Sequence, residues 1–183
     1  MAQLPPSDTA LRVAELSQTA ENTFALRPDA EALKEIAAEL GFETLRKLSF
    51  SGRIIPLAGK DWTLEGRLGA TVVQPCVVTL EPVMTRVDTD VTRHFLNTFS
   101  YPDEPEVEMP EDDTSEPLGS WIDPGMVMRE ALALAAPDYP RKDDAELGQL
   151  VYTKPGETPM TDEDARPFAG LADFKSKLER DGH

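Results

Sequence analysis

The sequence predicts an α+β fold: a mainly antiparallel β-sheet, open or barrel-like, with three helices packed around it. Three observations carry this. Between Trp62 and Val72 the apolar residues Trp62, Leu64, Leu68, Ala70 and Val72 fall on even positions, with Thr63, Glu65, Arg67 and Thr71 between them. From Val83 onward the phase changes: Val83, Val87, Val91, Phe95 and Phe99 fall on odd positions, against Arg86, Asp88, Asp90, Thr92 and His94. Alternation of this kind marks strands with one buried and one wet face. The second run also repeats every four residues, as a helix would, but its Val and Thr content favours a strand, because branching at Cβ restricts χ1 in a helix. Third, Gln74–Pro82 is where the first run ends and the chain reverses. Pro75 and Pro82 lack the ladder N–H and so belong at strand ends, bulges or edges.

Taken in order, residues 1–9 are polar, contain proline and are expected to be disordered. A single α+β domain is expected over 10–136. Leu11, Val13 and Leu16, with Phe24 and Leu26, suggest one or two short strands around Ser17–Asn22. Asp29 is placed to cap a helix running to Leu40 and closed by Gly41, and Leu33, Ile36, Ala37 and Leu40 form its apolar stripe. Leu45–Leu57 reads as a strand in which Leu48, Phe50 and Ile54 share one parity, and Ala58–Asp61 supplies turn residues before Trp62. Tyr101–Pro117 carries eight acids, four prolines and no basic residue, the composition of a flexible acidic loop. Asp123-Pro124 starts a second helix, with Asp as N-cap and Pro at the first helical position, and this helix runs to Ala136 before Pro137. The expected C-terminal segment, 137–183, is extended and ends in a short amphipathic helix near Pro167–Leu178.

Composition narrows the function classes. The 183 residues carry 18 Lys and Arg against 34 Asp and Glu, a formal net charge of −16, so the chain as a whole repels nucleic acid and anionic lipid. One cysteine and two histidines exclude an intramolecular disulfide and a four-ligand structural zinc site. No basic region followed by an apolar run stands at the N-terminus, and no apolar stretch approaches the ~20 residues that span a bilayer. A cytoplasmic protein with no membrane partner is expected.

Catalytic motifs are missing. Cys76 has no base at an informative spacing, since His94 lies on the polar parity of its strand and His183 is terminal; a packed structural thiol is the expectation, with a redox-sensing thiol as the sharper alternative. The acidic run lacks the glycine that an EF-hand loop needs for its turn. No phosphate-cradling glycine loop, GxSxG or HExxH occurs, and neither an enzyme activity nor a cofactor or metal is expected. Charge distribution says more. Leu45–Phe99 holds seven basic residues and five acids, whereas the remainder holds 11 basic residues and 29 acids. The sheet is therefore the part able to meet phosphate, and Arg46, Lys47, Arg53, Arg67, Arg86 and Arg93 are the candidate RNA contacts. Parity sets Arg53, Arg67 and Arg86 on wet faces.

Four stretches together resemble the large ribosomal RNA subunit accumulation family (YceD-like proteins), in its alphaproteobacterial form. They are Val72–Val83, with Cys76, Thr79, Leu80, Glu81 and Pro82; Ile122–Gly125, with Asp123, followed by Glu130–Leu134; Tyr139–Lys142, with Pro140 and Arg141; and Arg166–Leu171, with Pro167 and Phe168. An acidic linker before the Asp-Pro helix is also typical of that family. The resemblance implies a noncatalytic factor in ribosome biogenesis whose partner is large-subunit ribosomal RNA, its precursor or an assembly intermediate. Many members carry Cys-x-x-Cys at the central motif; here Thr79 takes the second position, so paired-cysteine chemistry does not carry over. A second reading is an acidic adaptor that holds a basic ribosomal protein before assembly.

Overall fold

The computed structural model describes residues 4–98 and 114–146. The chain divides into two compact units, Met1–Asp143 and Asp144–His183, and all the architecture below belongs to the first. Residues 99–113 of the expected acidic loop lie outside the described residues. So do the helix expected near Pro167–Leu178 and the motif residues Pro167 and Phe168.

Two long strands dominate: β4 (Trp62–Pro75) and β5 (Pro82–Leu96). They pair antiparallel over their whole length, from Trp62 opposite Phe95 to Pro75 opposite Pro82. The two prolines thus face each other at the end of the ladder, where a missing N–H costs least. Facing residues share a side of the sheet, so the even positions of β4 and the odd positions of β5 form one apolar face. Leu64, Leu68, Ala70 and Val72 are fully buried there, with Val87, Val91 and Phe95 beside them.

β3 (Thr44–Pro56) pairs antiparallel with β4, and β2 (Asn22–Leu26) with β3. The β3 ladder slips between Arg46 and Ser49, and Lys47 sits in the slip with φ of +52°. This bulge lets Leu45 reach the core as well as Leu48, so parity changes within one strand. Gly52 and Gly66 face each other across β3 and β4. A Cβ on Gly66 would lie 2.6 Å from the Phe50 ring, and Phe50 stacks at 5.1 Å on Phe24 from β2. The bare backbone there is the floor on which two aromatic rings pack.

β6 (Ser115–Pro117) completes the sheet by pairing parallel with His94–Leu96 of β5. The strand order is β2-β3-β4-β5-β6. One expectation is corrected: the sheet is open and not barrel-like, because β2 and β6 are its opposite edges. Two of the three expected α-helices are found among the described residues, and the third was expected outside them. The end of the expected loop, Ser115–Pro117, is also strand: its backbone finds a partner in β5 although its sequence has no apolar alternation.

Helix α1 (Ala30–Glu39) is capped by Asp29, whose carboxylate accepts from the N–H groups of Glu31 and Ala32, and Gly41 ends the segment at φ of +71°. It packs on β3. Helix α2 (Pro124–Ala135) packs on β2, β4 and β5 and buries Val127, Met128, Ala131 and Leu132. A two-stranded antiparallel pair, β1 (Leu11–Arg12) with β7 (Trp121–Ile122), leads into α2. Asp123 caps α2, accepting from the N–H groups of Gly125 and Met126. Its two oxygens also take the hydroxyls of Ser7 at 2.5 Å and Thr9 at 2.6 Å. Residues 7 and 9, in the stretch expected to be disordered, are therefore fastened to the start of α2.

Candidate functional site

Three places on this frame carry chemistry. The first is the polar face of the sheet, opposite the helices. Arg53 of β3 donates to Glu65 of β4 at 2.9 Å and to Glu21 at 3.0 Å. Its guanidinium is held further toward the charged form, first by the Glu65 hydrogen bond and then by Glu21. Arg67 donates to Asp90 on the facing strand at 2.8 Å. Arg86 makes a two-point contact with Asp88, at 2.6 and 2.7 Å. That contact holds the Asp88 carboxyl below its usual range, against the opposing effect of burial. The three cations predicted to face solvent do so, and each is matched by a carboxylate, directly across the ladder for Arg53 and Arg67 and two residues along β5 for Arg86.

Arg93 lies elsewhere. Its side chain is only 13% exposed and donates to Glu130 of α2 at 2.9 Å, because position 93 is odd and shares the core side with Val91 and Phe95. Glu116 stands next to this pair, its carboxyl raised by burial more than Arg93 lowers it. Arg46 and Lys47 are exposed at the β3 bulge, and among the described residues neither has an ion-pair partner. Arg46, Thr71 and Arg86 form a row across three strands. His94, placed by parity on the polar side of its strand, is half-buried with Nδ1 at 2.9 Å from the Thr63 hydroxyl.

The second place is a cleft of about 690 Å³ between the β1–β7 pair and the end of β4, lined by Trp62, Trp121, Arg12, Lys60, Gln18 and Asn97. Both tryptophans of the chain meet there beside two cations. Trp62 is almost wholly buried, so Trp121, Arg12 and Lys60 are the side chains with surface to offer for stacking or charge contacts. Nothing in the local sequence marks these residues, since they come from four separate segments.

The third place is the turn between β4 and β5. The Cys76 N–H donates to the Glu81 carbonyl at 2.8 Å, the Leu80 N–H donates to the Cys76 carbonyl at 2.9 Å, and Leu80 takes φ of +60°. The thiol is fully buried and accepts the N–H groups of Val78 and Thr79, both at 3.5 Å. Its pKa falls to about 6: the Thr79 hydroxyl bond is the largest cause, burial opposes it, and the backbone N–H groups of Lys142, Thr79 and Val78 add to the lowering. The segment after α2 closes over this turn. The Val77 N–H donates to the Pro140 carbonyl at 2.9 Å, Gln74 Nε2 donates to the Pro137 carbonyl at 3.1 Å, and Lys142 reaches Glu81 at 2.5 Å. Among the described residues no group of three or more His, Cys, Asp or Glu is arranged to hold a metal ion.

The stretches around Cys76 and Pro140 are thus distant in sequence and joined in space. A family model described as large ribosomal RNA subunit accumulation protein YceD matches residues 64–175, which include both. The chain belongs to the YceD family. That membership links it to the accumulation of large-subunit ribosomal RNA, and the family's description names an accumulation role, not a reaction. No curated protein and no solved structure matches the chain. Among the described residues no helix is long and apolar enough to cross a membrane.

Proposed function

We propose that this YceD-family chain supports accumulation of large-subunit ribosomal RNA without catalysis, by holding a basic ribosomal protein of an assembly intermediate. The observation that carries this reading is the pairing on the sheet face. Arg53, Arg67 and Arg86 already meet Glu21, Glu65, Asp90 and Asp88, so the sheet offers phosphate a nearly neutral surface. Outside Leu45–Phe99 the acids outnumber basic residues by 29 to 11. A field of that sign draws in a cationic protein and slows the approach of a polyanion.

Direct contact with precursor RNA is the second reading. Exposed ion pairs are worth ~0–1 kcal/mol each, so phosphate can recruit Arg53, Arg67 or Arg86 at small cost. Arg46 and Lys47 also stand unmatched at the bulge among the described residues.

Two variants separate the readings. One replaces Arg46 and Lys47 by Glu; the other replaces the acids of Tyr101–Pro117 by Asn and Gln. With a purified basic large-subunit protein as probe, the adaptor reading expects salt-sensitive binding. The neutralised acids should weaken it by about tenfold or more, and R46E/K47E should leave it unchanged. In-cell crosslinking that recovers precursor ribosomal RNA, and loses it in R46E/K47E while protein capture is unaffected by the acids, would replace the adaptor by the RNA reading.

A further inference from the structure

β5 has a long open edge. β6 covers only His94–Leu96, and no described residue pairs with the outer side of β5 from Pro82 to Thr92. The hydrogen bonding fixes which groups point outward. The bond from the Cys76 N–H to the Glu81 carbonyl starts the β4–β5 ladder and turns the odd residues of β5 toward β4. The His94 N–H donates outward to Thr114, which places the even residues on the free side. Met84, Arg86, Asp88, Asp90 and Thr92 therefore present unpaired N–H and C=O groups, the template to which another strand adds.

The odd-position side chains along this edge read the same in both directions about Val87. The odd positions are Val83, Thr85, Val87, Thr89 and Val91, a palindrome. Val87 is also the midpoint of the open stretch. An antiparallel partner must pair outward residues with outward residues, so a two-fold axis at an odd position brings even onto even. With the axis at Val87, Val83 faces Val91, Thr85 faces Thr89 and Val87 faces itself. On the other side of the sheet Arg86 faces Asp88 twice, and the exposed Met84 faces the Cβ and backbone of Asp90. Moving the axis to Asp88 would set two aspartates opposite each other, which like-charge repulsion disfavours. From Pro82 to Thr92 one arginine meets two aspartates, so the open stretch carries little of the chain's net charge of −16.

We infer that the open edge of β5 is an interface for a second copy of this chain, joined antiparallel and two-fold about Val87 into a ten-stranded sheet. Isologous pairing of this kind closes at two copies and leaves no further edge of β5 exposed.

Sedimentation velocity of the full chain over a range of concentrations tests this. The expected result is a concentration-dependent dimer. R86D sets Asp against Asp and D88R sets Arg against Arg, and each should raise the dimer dissociation constant by about tenfold or more. The double variant R86D/D88R restores opposite charges and should return it to within a few-fold of the parent. These side chains are exposed, and circular dichroism confirms that each variant is folded. Mixing M84C with D90C, each built on Cys76→Ser so that it carries one cysteine, and oxidising should give a crosslinked dimer, while either variant alone should not. A monomer at every concentration, as when another segment or a different partner occupies the edge, would overturn the inference. So would a dimer that ignores both single reversals, a swap that fails to restore pairing, or crosslinks in either single-cysteine sample.

Discussion

Cys76 shows how a side chain can be shifted chemically without being a catalyst. Four hydrogen-bond donors converge on its sulfur, the Thr79 hydroxyl first among them, and a thiolate inside such a shell is stabilised where burial alone would favour the thiol. In the folded chain the ultraviolet absorbance of the thiolate should rise with a midpoint at about 6. Thr79→Val, which keeps the shape and removes the hydroxyl, should move that midpoint upward toward the ordinary 9.0. The linked effect on stability has a definite sign. Between about pH 6 and 9 an unfolded thiol still holds the proton that the folded one has released, so stability rises with pH across that window. The contribution is complete above 9 and lost as pH falls through 6; denaturant midpoints for the parent and Cys76→Ser, compared across the window, should diverge in that direction. Thr79, three residues after Cys76, serves here as a hydroxyl donor to the thiol.

Among the elements, the hairpin was legible because its strands are long and their alternation unbroken: Trp62–Val72 and Val83–Phe95 keep one phase each. The helix caps at Asp29 and Asp123 were equally plain, since short acids before an apolar stripe have one dominant use. Parity also held the answer for Arg93, which shares odd positions with Val91 and Phe95 and accordingly turns inward to Glu130. Other elements leave no such mark. The bulge at Lys47 shifts the phase within β3, and a lysine at positive φ looks like any other lysine. β6 is three residues long and depends on β5 for every strand contact, so its sequence need not alternate. The Trp62–Trp121 cleft is assembled from four segments and exists only in three dimensions. The Gly52–Gly66 floor is a testable consequence of the same packing. Gly66→Ala puts a methyl group 2.6 Å from the Phe50 ring, and overpacking of this kind costs ~1–3 kcal/mol. The melting temperature should fall by several degrees, and Phe50→Leu in the same chain should recover part of the loss.

For the molecule as a whole, charge is the governing quantity. A net −16 destabilises any compact form through self-repulsion, and the sheet-face ion pairs offset little of it because exposed pairs are weak. Raising NaCl from ~0.01 to ~0.3 M contracts the screening length from ~30 Å to well under 10 Å. The melting temperature should therefore increase over that range. A decrease would mean that the pairs at Arg53, Arg67 and Arg86 outweigh the repulsion. The same charge divides the molecule by role: the neutral sheet is where surfaces can touch, and the acidic remainder decides what arrives.

β5 and β6 run side by side in the same direction, joined by the Leu118 N–H on the Leu96 carbonyl and the His94 N–H on the Thr114 carbonyl. The intervening chain thus leaves and returns at neighbouring points of one strand. The distance that this connection spans is therefore set by the sheet, at the spacing of two neighbouring strands. β6 is thereby fastened at both ends, by Thr114 to His94 and by Leu118 to Leu96, so its return to β5 is fixed by backbone bonds and not by its side chains.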